Sequence, residues 1–271
     1  WGHADPDVDL ATIFSWGTVT PEYFWDRMLS SVVEVGLDGI ELTFPPGDFR
    51  NALRTFGSAE GFASEMRSRN LEVASGYLSN RSADGNILDW ENPGHHTELI
   101  EVTAEYAQFL AIAGCDTIVV SLMLRKNSES DPPLFADLRL AEAACEGLHR
   151  AAAIASQFGV TLALHPEAFT VFRTARDVDL YMTLLDPTYV NLCPDTAQFT
   201  VAGSDPVAIC QRHRDRVVLT HWKDAVGAAP KDVRIDDTIW DRHIRWFAPV
   251  GRGVVDWPAW MRPMRNIHYT G

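Results

Sequence analysis

Basic residues and long apolar runs are both scarce in this sequence. Of its 271 residues, 23 are lysine or arginine and 37 are aspartate or glutamate, which gives a formal net charge of −14. An acidic surface repels nucleic acids and anionic membranes, so we expect neither as a partner. No apolar run approaches the roughly 20 residues that a helix needs to cross a bilayer.

Closely spaced cysteines are also missing. The chain has four cysteines, Cys115, Cys145, Cys193 and Cys210, and they lie far apart in apolar stretches. Disulfide frameworks and cysteine zinc sites use regular, closer spacings such as CxxC. We therefore expect buried, reduced thiols and a cytoplasmic location.

Short apolar runs alternate with helical patterns along the whole chain. The runs are continuously apolar, as in buried parallel strands, and cover residues 37–44, 71–77, 116–122, 160–165, 189–193 and 216–221. The helical patterns cover residues 21–36, 61–70, 96–114, 139–159 and 175–185. Strands separated by helices run parallel with right-handed crossovers. The sequence therefore predicts one α/β domain over residues 1–271, a (β/α)8 TIM barrel. An open doubly wound sheet is the alternative, but no glycine-rich phosphate loop follows any strand.

Only six strands are clear in the sequence, two fewer than such a barrel has. Trp1 and Gly2 are compatible with the tail of a first strand, and residues 266–271 lead towards an eighth. A six-stranded open barrel would expose two long strand edges, which proteins avoid. We therefore expect either a chain trimmed at its first and last strands or a second chain that covers the edges.

Polar side chains follow the predicted strands at the end where barrel enzymes place their active sites. They are Glu41 and Thr43, Tyr77, Ser121, His165 and Glu167, Asp195 and Gln198, and His221, Lys223 and Asp224. Carboxylates and imidazoles on one rim suit a divalent cation such as Mn²⁺, Mg²⁺, Co²⁺ or Zn²⁺. Such a cation polarises a substrate carbonyl and acidifies the neighbouring C–H for a protein base.

Each of these residues also has an ordinary structural explanation. A strand-end aspartate often caps the next helix, a buried histidine often only packs, and Lys223 fits a surface charge. Their coincidence on three successive strand ends, at 165/167, 195 and 221, favours a functional site.

Two motif-bearing stretches of the chain carry a family resemblance. Residues 163–224 contain "ALHPEAF", "NLCPDTAQF" and "THWKD", and residues 247–257 read "FAPVGRGVVDW". They resemble the xylose isomerase-like sugar phosphate isomerase/epimerase superfamily, which includes inosose dehydratases, ketose 3-epimerases and 3-dehydroshikimate dehydratases. The superfamily's patterns are His-Pro, Asp-Thr-Gly-His, His-x-His-x-Lys-Asp and Pro-x-Gly-x-Gly-x-x-Asp.

The resemblance implies one divalent metal ion, bound by a Glu, an Asp, a His and a final Glu. Mn²⁺ is the first candidate for this ion. Asp195 and His221 match the Asp and the His. The chain departs from the pattern at Ala163, where some members have Glu, at Ala197 and Gln198, which replace Gly-His, and at Leu219, which replaces a His. The final Glu is expected on strand eight, beyond residue 271.

Roles for the remaining residues follow from their place on the strand ends. Alternation along an extended chain puts His165 and Glu167 on the same, pocket-facing side. Because carboxylates suit hard cations, we assign Glu167 to the metal with Asp195 and His221, and His165 to proton transfer. Lys223 would stabilise a developing enolate or act as an alternative acid. We expect substrate contacts from Glu41, Trp16, Gln198 and Trp246.

These assignments predict a metal-dependent sugar or cyclitol isomerase, epimerase or dehydratase that abstracts a proton next to a carbonyl. One alternative is the large subunit of a C-glycoside deglycosidase, which eliminates an aglycone from a 3-oxo-sugar and pairs with a small subunit. A metal-dependent hydrolase or endonuclease is less compatible with the acidic charge. A barrel that lost a ligand and only binds is the last alternative. We expect a homo-oligomer or a complex with a small subunit.

Overall fold

A single parallel sheet forms the centre of the computed structural model, which describes residues 10–82, 84–125 and 137–270. Its five strands are β1 (Gly39–Leu42), β2 (Glu72–Tyr77), β3 (Thr117–Val120), β4 (Thr161–Leu164) and β5 (Val190–Leu192). They pair in sequence order, all parallel. Five of the six predicted strands are thus present. The expected tail of a first strand at Trp1 and Gly2, like Gly271, lies outside the described residues.

Helices connect the strands and cover the sheet. In the described part of the chain they are α1 (Leu10–Val19), α2 (Pro21–Glu34), α3 (Phe49–Phe56), α4 (Ala59–Ser68), α5 (His96–Ala113), α6 (Leu138–Ala155), α7 (Ala175–Leu184), α8 (Thr196–Val201), α9 (Pro206–Arg212), α10 (Ile239–Arg242) and α11 (Trp257–Asn266). None of the helices in these described ranges is long and apolar enough to cross a membrane.

Local sequence signals explain where several helices begin and end. Pro21 occupies the first turn of α2, where its missing N–H costs no hydrogen bond. The Asp48 carboxylate accepts hydrogen bonds from two backbone N–H groups at the start of α3. Thr174 and Asp177 form a reciprocal capping box on α7. Helix α5 ends at Gly114, whose φ of 84° suits glycine.

The sixth predicted strand, residues 216–221, is not a regular strand. It makes two isolated parallel bridges instead, Leu192 to Val217 and Asp195 to His221. Pro194 lies between the two bridged positions and has no N–H to donate, so the ladder is interrupted there. The carbonyl of Pro194 still accepts a hydrogen bond from the His221 N–H at 2.9 Å. The segment therefore runs beside β5 and brings His221 next to Asp195.

A second, two-stranded sheet lies after this segment. Strands β6 (Asp224–Ala225) and β7 (Phe247–Ala248) pair antiparallel. Their connection contains α10 and a 3-10 helix, His243–Trp246. This small sheet places residues 247–250 close to the carboxyl ends of the parallel strands.

The main core lies between the parallel sheet and the helices packed on it. It includes large, fully buried side chains such as Trp25, Trp90, Phe172 and Tyr181. All four cysteines are buried and unpaired, as predicted from their apolar surroundings. One ion pair is buried within this framework, between Arg125 and Asp177 at 2.8 Å.

Candidate active site

Three side chains at the carboxyl ends of the strands converge on a small volume. His165 follows β4, Asp195 follows β5 and begins α8, and His221 ends the bridged segment 216–221. One ligand atom from each lies within 4.8 Å of the other two. His165 Nε2 is 3.3 Å from Asp195 Oδ2, and His221 Nδ1 is 3.9 Å from the same oxygen. His165 and Asp195 are fully buried.

The outward-facing nitrogen of each imidazole has its own partner. His221 Nε2 lies 3.0 Å from Glu41 Oε2, and because a carboxylate only accepts, this nitrogen carries a proton. The Ser75 hydroxyl donates to the same Glu41 oxygen at 2.6 Å. His165 Nδ1 lies 3.4 Å from the Tyr77 hydroxyl oxygen, whose proton goes to Glu167. A histidine held through its outer nitrogen is the usual arrangement around metal-binding imidazoles.

This arrangement turns one nitrogen of each imidazole, His165 Nε2 and His221 Nδ1, towards the Asp195 carboxylate. His221 Nδ1 is buried and has no hydrogen-bond partner among the described residues. Burial lowers the pKa of His165 to about 4, so the His165 ring is neutral near pH 7. Two imidazole nitrogens and one carboxylate oxygen are ligands that a divalent cation prefers. The residues present therefore fit a metal ion.

Lys223 supplies positive charge at the edge of this group. Its Nζ lies 2.9 Å from Asp195 Oδ2, although 47% of the side chain is exposed. Burial opposes ionisation of Asp195, but the charge of Lys223 and the hydrogen bond from His165 outweigh it and lower the pKa of Asp195. Burial also opposes the charge of Lys223, but Asp195 and Glu167 raise the pKa of the lysine. Both groups are ionised near neutral pH, and a bound cation would compete with Lys223 for Asp195 Oδ2.

Glu167 lies beside the three-residue group rather than within it. Its Oε1 accepts a hydrogen bond from the Tyr77 hydroxyl at 2.9 Å, and its Oε2 accepts one from Gln198 Nε2 at 2.6 Å. The Gln198 amide is fixed in turn, because its Oε1 accepts the Ala168 N–H at 2.9 Å. Burial raises the pKa of Glu167. Glu167 is therefore a positioned carboxylate with enhanced basicity, 3.6 Å from His165 Nδ1.

The structure divides the predicted site residues into two groups. Those brought together are His165, Glu167, Asp195, His221, Lys223, Glu41 and Gln198. The two tryptophans predicted to contact substrate lie elsewhere. Trp16 packs edge-on against Tyr23 and against the main core, and Trp246 is buried against Phe169. The sequence alone does not show which tryptophans face the cavities.

Two cavities open onto the site. One, of about 850 Å³, is lined by side chains of β1 and β2 and by residues 219–223. The other, of about 990 Å³, has Glu167, Gln198 and Lys223 among its polar lining. Its remaining walls are mostly apolar and include Phe14, Phe44, Trp222, Trp240, Ile244 and Phe247. The candidate active site is thus polar where the histidines and carboxylates meet and aromatic towards its mouth.

The sequence predicts Tyr77 and Asp224 as strand-end residues but does not predict the hydrogen bonds that they make. Tyr77 was noted only as a strand-end residue, yet it connects His165 with Glu167. Asp224 is buried and accepts hydrogen bonds from the 251–257 segment. The Lys-Asp pair of "THWKD" and the glycines of "PVGRG" were the available signals, but no local pattern shows that these two motifs meet.

The protein is an α/β protein whose parallel strands pair in sequence order. The histidines and carboxylates of its site lie at the carboxyl ends of these strands. The chain belongs to the xylose isomerase-like TIM barrel family, whose model matches residues 29–271. The predicted family and barrel fold are therefore confirmed. An inosose dehydratase from Geobacillus kaustophilus is 29% identical over 262 residues, which are 92% of this chain and 78% of that protein.

Other relatives extend the comparison. The inosose dehydratase of Bacillus velezensis is 28% identical over 73% of this chain, and the chain spans only 62% of that protein's length. Two crystal structures share the fold at 16% identity. The 3-keto-D-glucoside 4-epimerase of E. coli has a TM-score of 0.65, with 90% of this chain and 82% of that chain covered. A protein named IolI, with a bound zinc atom, has a TM-score of 0.67, with 91% and 81% covered.

Proposed function

We propose that this protein is a divalent-metal-dependent enzyme that acts on a cyclitol or keto-sugar by removing a proton next to a carbonyl group. One observation carries the proposal: two imidazole nitrogens and a carboxylate oxygen converge on one point, beside a basic carboxylate and an ammonium. The inosose dehydratases among its relatives, and the keto-sugar epimerase and zinc-containing protein among its structural neighbours, support the same chemistry.

In this proposal His165, Asp195 and His221 hold the metal. A divalent cation bound there would polarise a substrate carbonyl and lower the pKa of the adjacent C–H. Glu41 and Tyr77 fix the two imidazole rings through their outer nitrogens. Zinc, manganese, cobalt and magnesium are the candidate ions, and the two nitrogen donors favour the first three over magnesium.

The proposal exchanges two of the roles assigned from sequence. His165 Nε2 is one of the three converging ligand atoms and lies 3.3 Å from Asp195 Oδ2, so His165 becomes a metal ligand. Glu167 has a raised pKa, two fixed hydrogen bonds and contact with both cavities, so it becomes the base. Lys223 stays protonated because two carboxylates lie near it, so it serves as the acid.

These residues account for either reaction class. Glu167 takes the proton from the carbon next to the carbonyl, and the electron pair of the broken C–H bond moves onto the carbonyl oxygen. In an epimerase or isomerase, a proton then returns to carbon at a different face or position. In a dehydratase, the β-hydroxyl leaves as water with a proton from Lys223, and a carbon–carbon double bond forms. The relatives' names favour dehydration of an inosose.

Metal content and solvent isotope exchange test the proposal together. The protein is purified, its metals are measured by mass spectrometry, and it is incubated with scyllo-inosose in D₂O. We expect about one divalent cation per chain and either loss of water or deuterium at the carbon next to the carbonyl. The proposed reaction would be contradicted if the protein holds one metal ion per chain and yet gives neither product nor deuterium exchange, with the inosose or with keto-sugars.

A matched pair of variants tests the metal site. Asp195 and Asp205 each cap a helix through the side chain, Asp195 on α8 and Asp205 on α9. Changing either to Ala removes a cap and costs about 1 kcal/mol of stability. Asp195→Ala should also release the metal, whereas Asp205→Ala should keep it. Equal metal content in the two variants would show that Asp195 is not a ligand.

The aromatic cavity favours a second candidate. A cavity of about 990 Å³ lies at the upper end of the range for drug-sized ligands, of roughly 300–1,000 Å³, and exceeds what a bare six-membered ring requires. Its Phe44 and Trp240 rings, 52% and 40% exposed, suit a planar substituent. The candidate is elimination of an aromatic aglycone from a 3-oxo-C-glycoside. Release of the phenol from a 3-oxo aryl C-glucoside would support it, and inosose turnover without phenol release would exclude it.

A further inference from the structure

The Asp224 carboxylate is a hydrogen-bonding centre outside the proposed metal group. It is fully buried and accepts five hydrogen bonds at 2.9–3.1 Å. The donors are the backbone N–H groups of Ala225, Gly251, Gly253 and Val255 and the indole N–H of Trp257. Three of them, Gly251, Gly253 and Trp257, donate to Oδ2, and the other two donate to Oδ1.

The chain wraps around this carboxylate closely enough to need glycine. A Cβ atom at Gly253 would overlap both Asp224 Oδ1 and the carbonyl oxygen of Ala225. Gly251 has a φ of +80°, which L-residues rarely adopt. The Val254 N–H closes the loop on the carbonyl of Ala225 at 2.8 Å. We call residues 251–257 together with Asp224 the carboxylate clamp.

The carboxylate clamp adjoins the site on two sides. On one side, β6 pairs with β7, so that Asp224 lies opposite Ala248 and the clamp continues directly from residues 247–250, which line the aromatic cavity. On the other side, Trp257 packs against the cavity residue Trp222, with ring centroids 5.9 Å apart.

Lys223 immediately precedes the clamp and is held by a second contact. Its backbone N–H donates to Thr196 Oγ1 at 3.0 Å, and the Thr196 hydroxyl donates to the carbonyl of Lys223 at 2.5 Å. Thr196 begins α8 directly after Asp195. The backbone of Lys223 is therefore fixed between α8 and the Asp224 side chain, and its Nζ reaches Asp195 Oδ2 from this position.

We propose that Asp224 is a positioning residue for the site: through the carboxylate clamp it sets the place of Lys223 and of the cavity wall at 247–250. Asp224 itself reaches neither the three-residue metal group nor the cavities, so it acts through these neighbours. The effect on turnover rests on the proposed function, whereas the effect on the position of Lys223 does not.

Asp224→Asn is the sharpest change because it keeps shape and removes charge. An amide presents one acceptor and one NH₂ group where the carboxylate presents two acceptors. In either orientation, two or three of the five donors then face an NH₂ group. Asp256→Ala is the matched control: Asp256 belongs to the clamp segment, but its side chain caps α11 by accepting the Ala259 N–H at 2.9 Å and is not one of the donors to Asp224.

Selective acetylation measures the position of Lys223 without any substrate. Lys126, Lys223 and Lys231 are the lysines of the chain, and Lys231 is exposed. The ratio of Lys223 to Lys231 acetylation, read by peptide mass spectrometry, should rise several-fold in Asp224→Asn and stay unchanged in Asp256→Ala. A ratio unchanged in a folded Asp224→Asn variant would overturn the proposal.

Kinetics test the consequence for the reaction. With the substrate that wild type turns over, Asp224→Asn should lower kcat/KM about 100-fold at full metal content, as small displacements of reacting groups do. Asp256→Ala should stay within about threefold. If Asp224→Asn does not fold, Trp257→Phe removes a single donor from Oδ2 and should show both effects at smaller size. If wild type turns over none of the substrates, the proposed function is wrong. The acetylation ratio still tests the proposal for Asp224, because it needs no substrate.

Discussion

Replacing Glu167 with Gln separates the base from the metal ligands. The variant can keep the local hydrogen bonds, because the new amide oxygen can accept from Gln198 and the new NH₂ can donate to the Tyr77 hydroxyl oxygen. Gln198 cannot reverse its own amide without losing the Ala168 N–H. We therefore expect one tolerated orientation of Gln at position 167, a stability change below about 1 kcal/mol and full metal content.

Turnover should fall far more than stability. Removing a general base typically costs about 10²–10⁴-fold in rate, which corresponds to about 3–5 kcal/mol of transition-state stabilisation at 1.36 kcal/mol per tenfold. Deuterium exchange at the substrate carbon is the assay, run on protein whose metal content has been measured. Tyr77→Phe is the companion variant, because it removes one hydrogen bond to Glu167 and leaves the carboxylate.

His165→Ala supplies the contrasting result. That variant should lose metal, because it removes one of the three converging ligand atoms. If Glu167→Gln loses its metal and His165→Ala keeps it, the exchange of roles is wrong and the assignment made from sequence is correct. If Glu167→Gln retains full exchange activity, Glu167 is not the base.

Three further predictions concern stability. Asp177→Ala should cost about 3–5 kcal/mol in urea unfolding because it breaks the buried ion pair with Arg125 and removes the capping-box carboxylate of α7, whereas Asp179→Ala on the same helix breaks only partly exposed pairs and should cost less than about 1 kcal/mol; equal losses would refute the argument. Burial opposes ionisation of Asp224, but hydrogen bonds from Trp257 and the backbone lower its pKa to about 2. Ionised Asp224 therefore stabilises the folded state at pH values above the pKa of about 4 that it has in the unfolded chain, and this stabilisation is lost as the pH falls towards 2. In Asp224→Asn, the free energy of unfolding should consequently fall less steeply at acidic pH than in wild type. A divalent cation at 100 times its Kd should add about 2.7 kcal/mol of stability, and no such increase should appear in Asp195→Ala.

Hydrophobic pattern was enough to locate most of the fold. The runs at 71–77, 116–122 and 160–165 became strands because continuous apolar side chains can be buried only on both faces of a parallel sheet. The run at 216–221 failed as a regular strand because Pro194, on the neighbouring segment, interrupts the ladder. The interruption depends on strand register, that is, on which residues of the two segments lie opposite each other. An apolar run in the sequence does not reveal its register.

The site was predictable in its location but not in its connections. Asp195 and His221 were identified because parallel strands bring their carboxyl ends to one edge. Their bridge pairing then places the two side chains side by side. The roles of His165 and Glu167 depended instead on hydrogen bonds with Tyr77 and Gln198, which come from other strands and helices. Trp246 packs against Phe169 and does not line either of the two cavities, and a tryptophan in a connection gives no sign in the sequence of the direction it faces.

The burial of all four cysteines has a practical consequence for chemical labelling. Burial raises the pKa of Cys115 to about 11 and of Cys145 and Cys210 to about 12, and it raises that of Cys193 as well. Because the thiolate is the reactive form, these sulfurs are nearly inert towards alkylating reagents at neutral pH. A cysteine introduced at Ile244, which is 69% exposed at the mouth of the aromatic cavity, would then be labelled selectively in the otherwise unaltered chain. A spin label or fluorophore attached there would report movement of the 232–246 connection when a ligand binds.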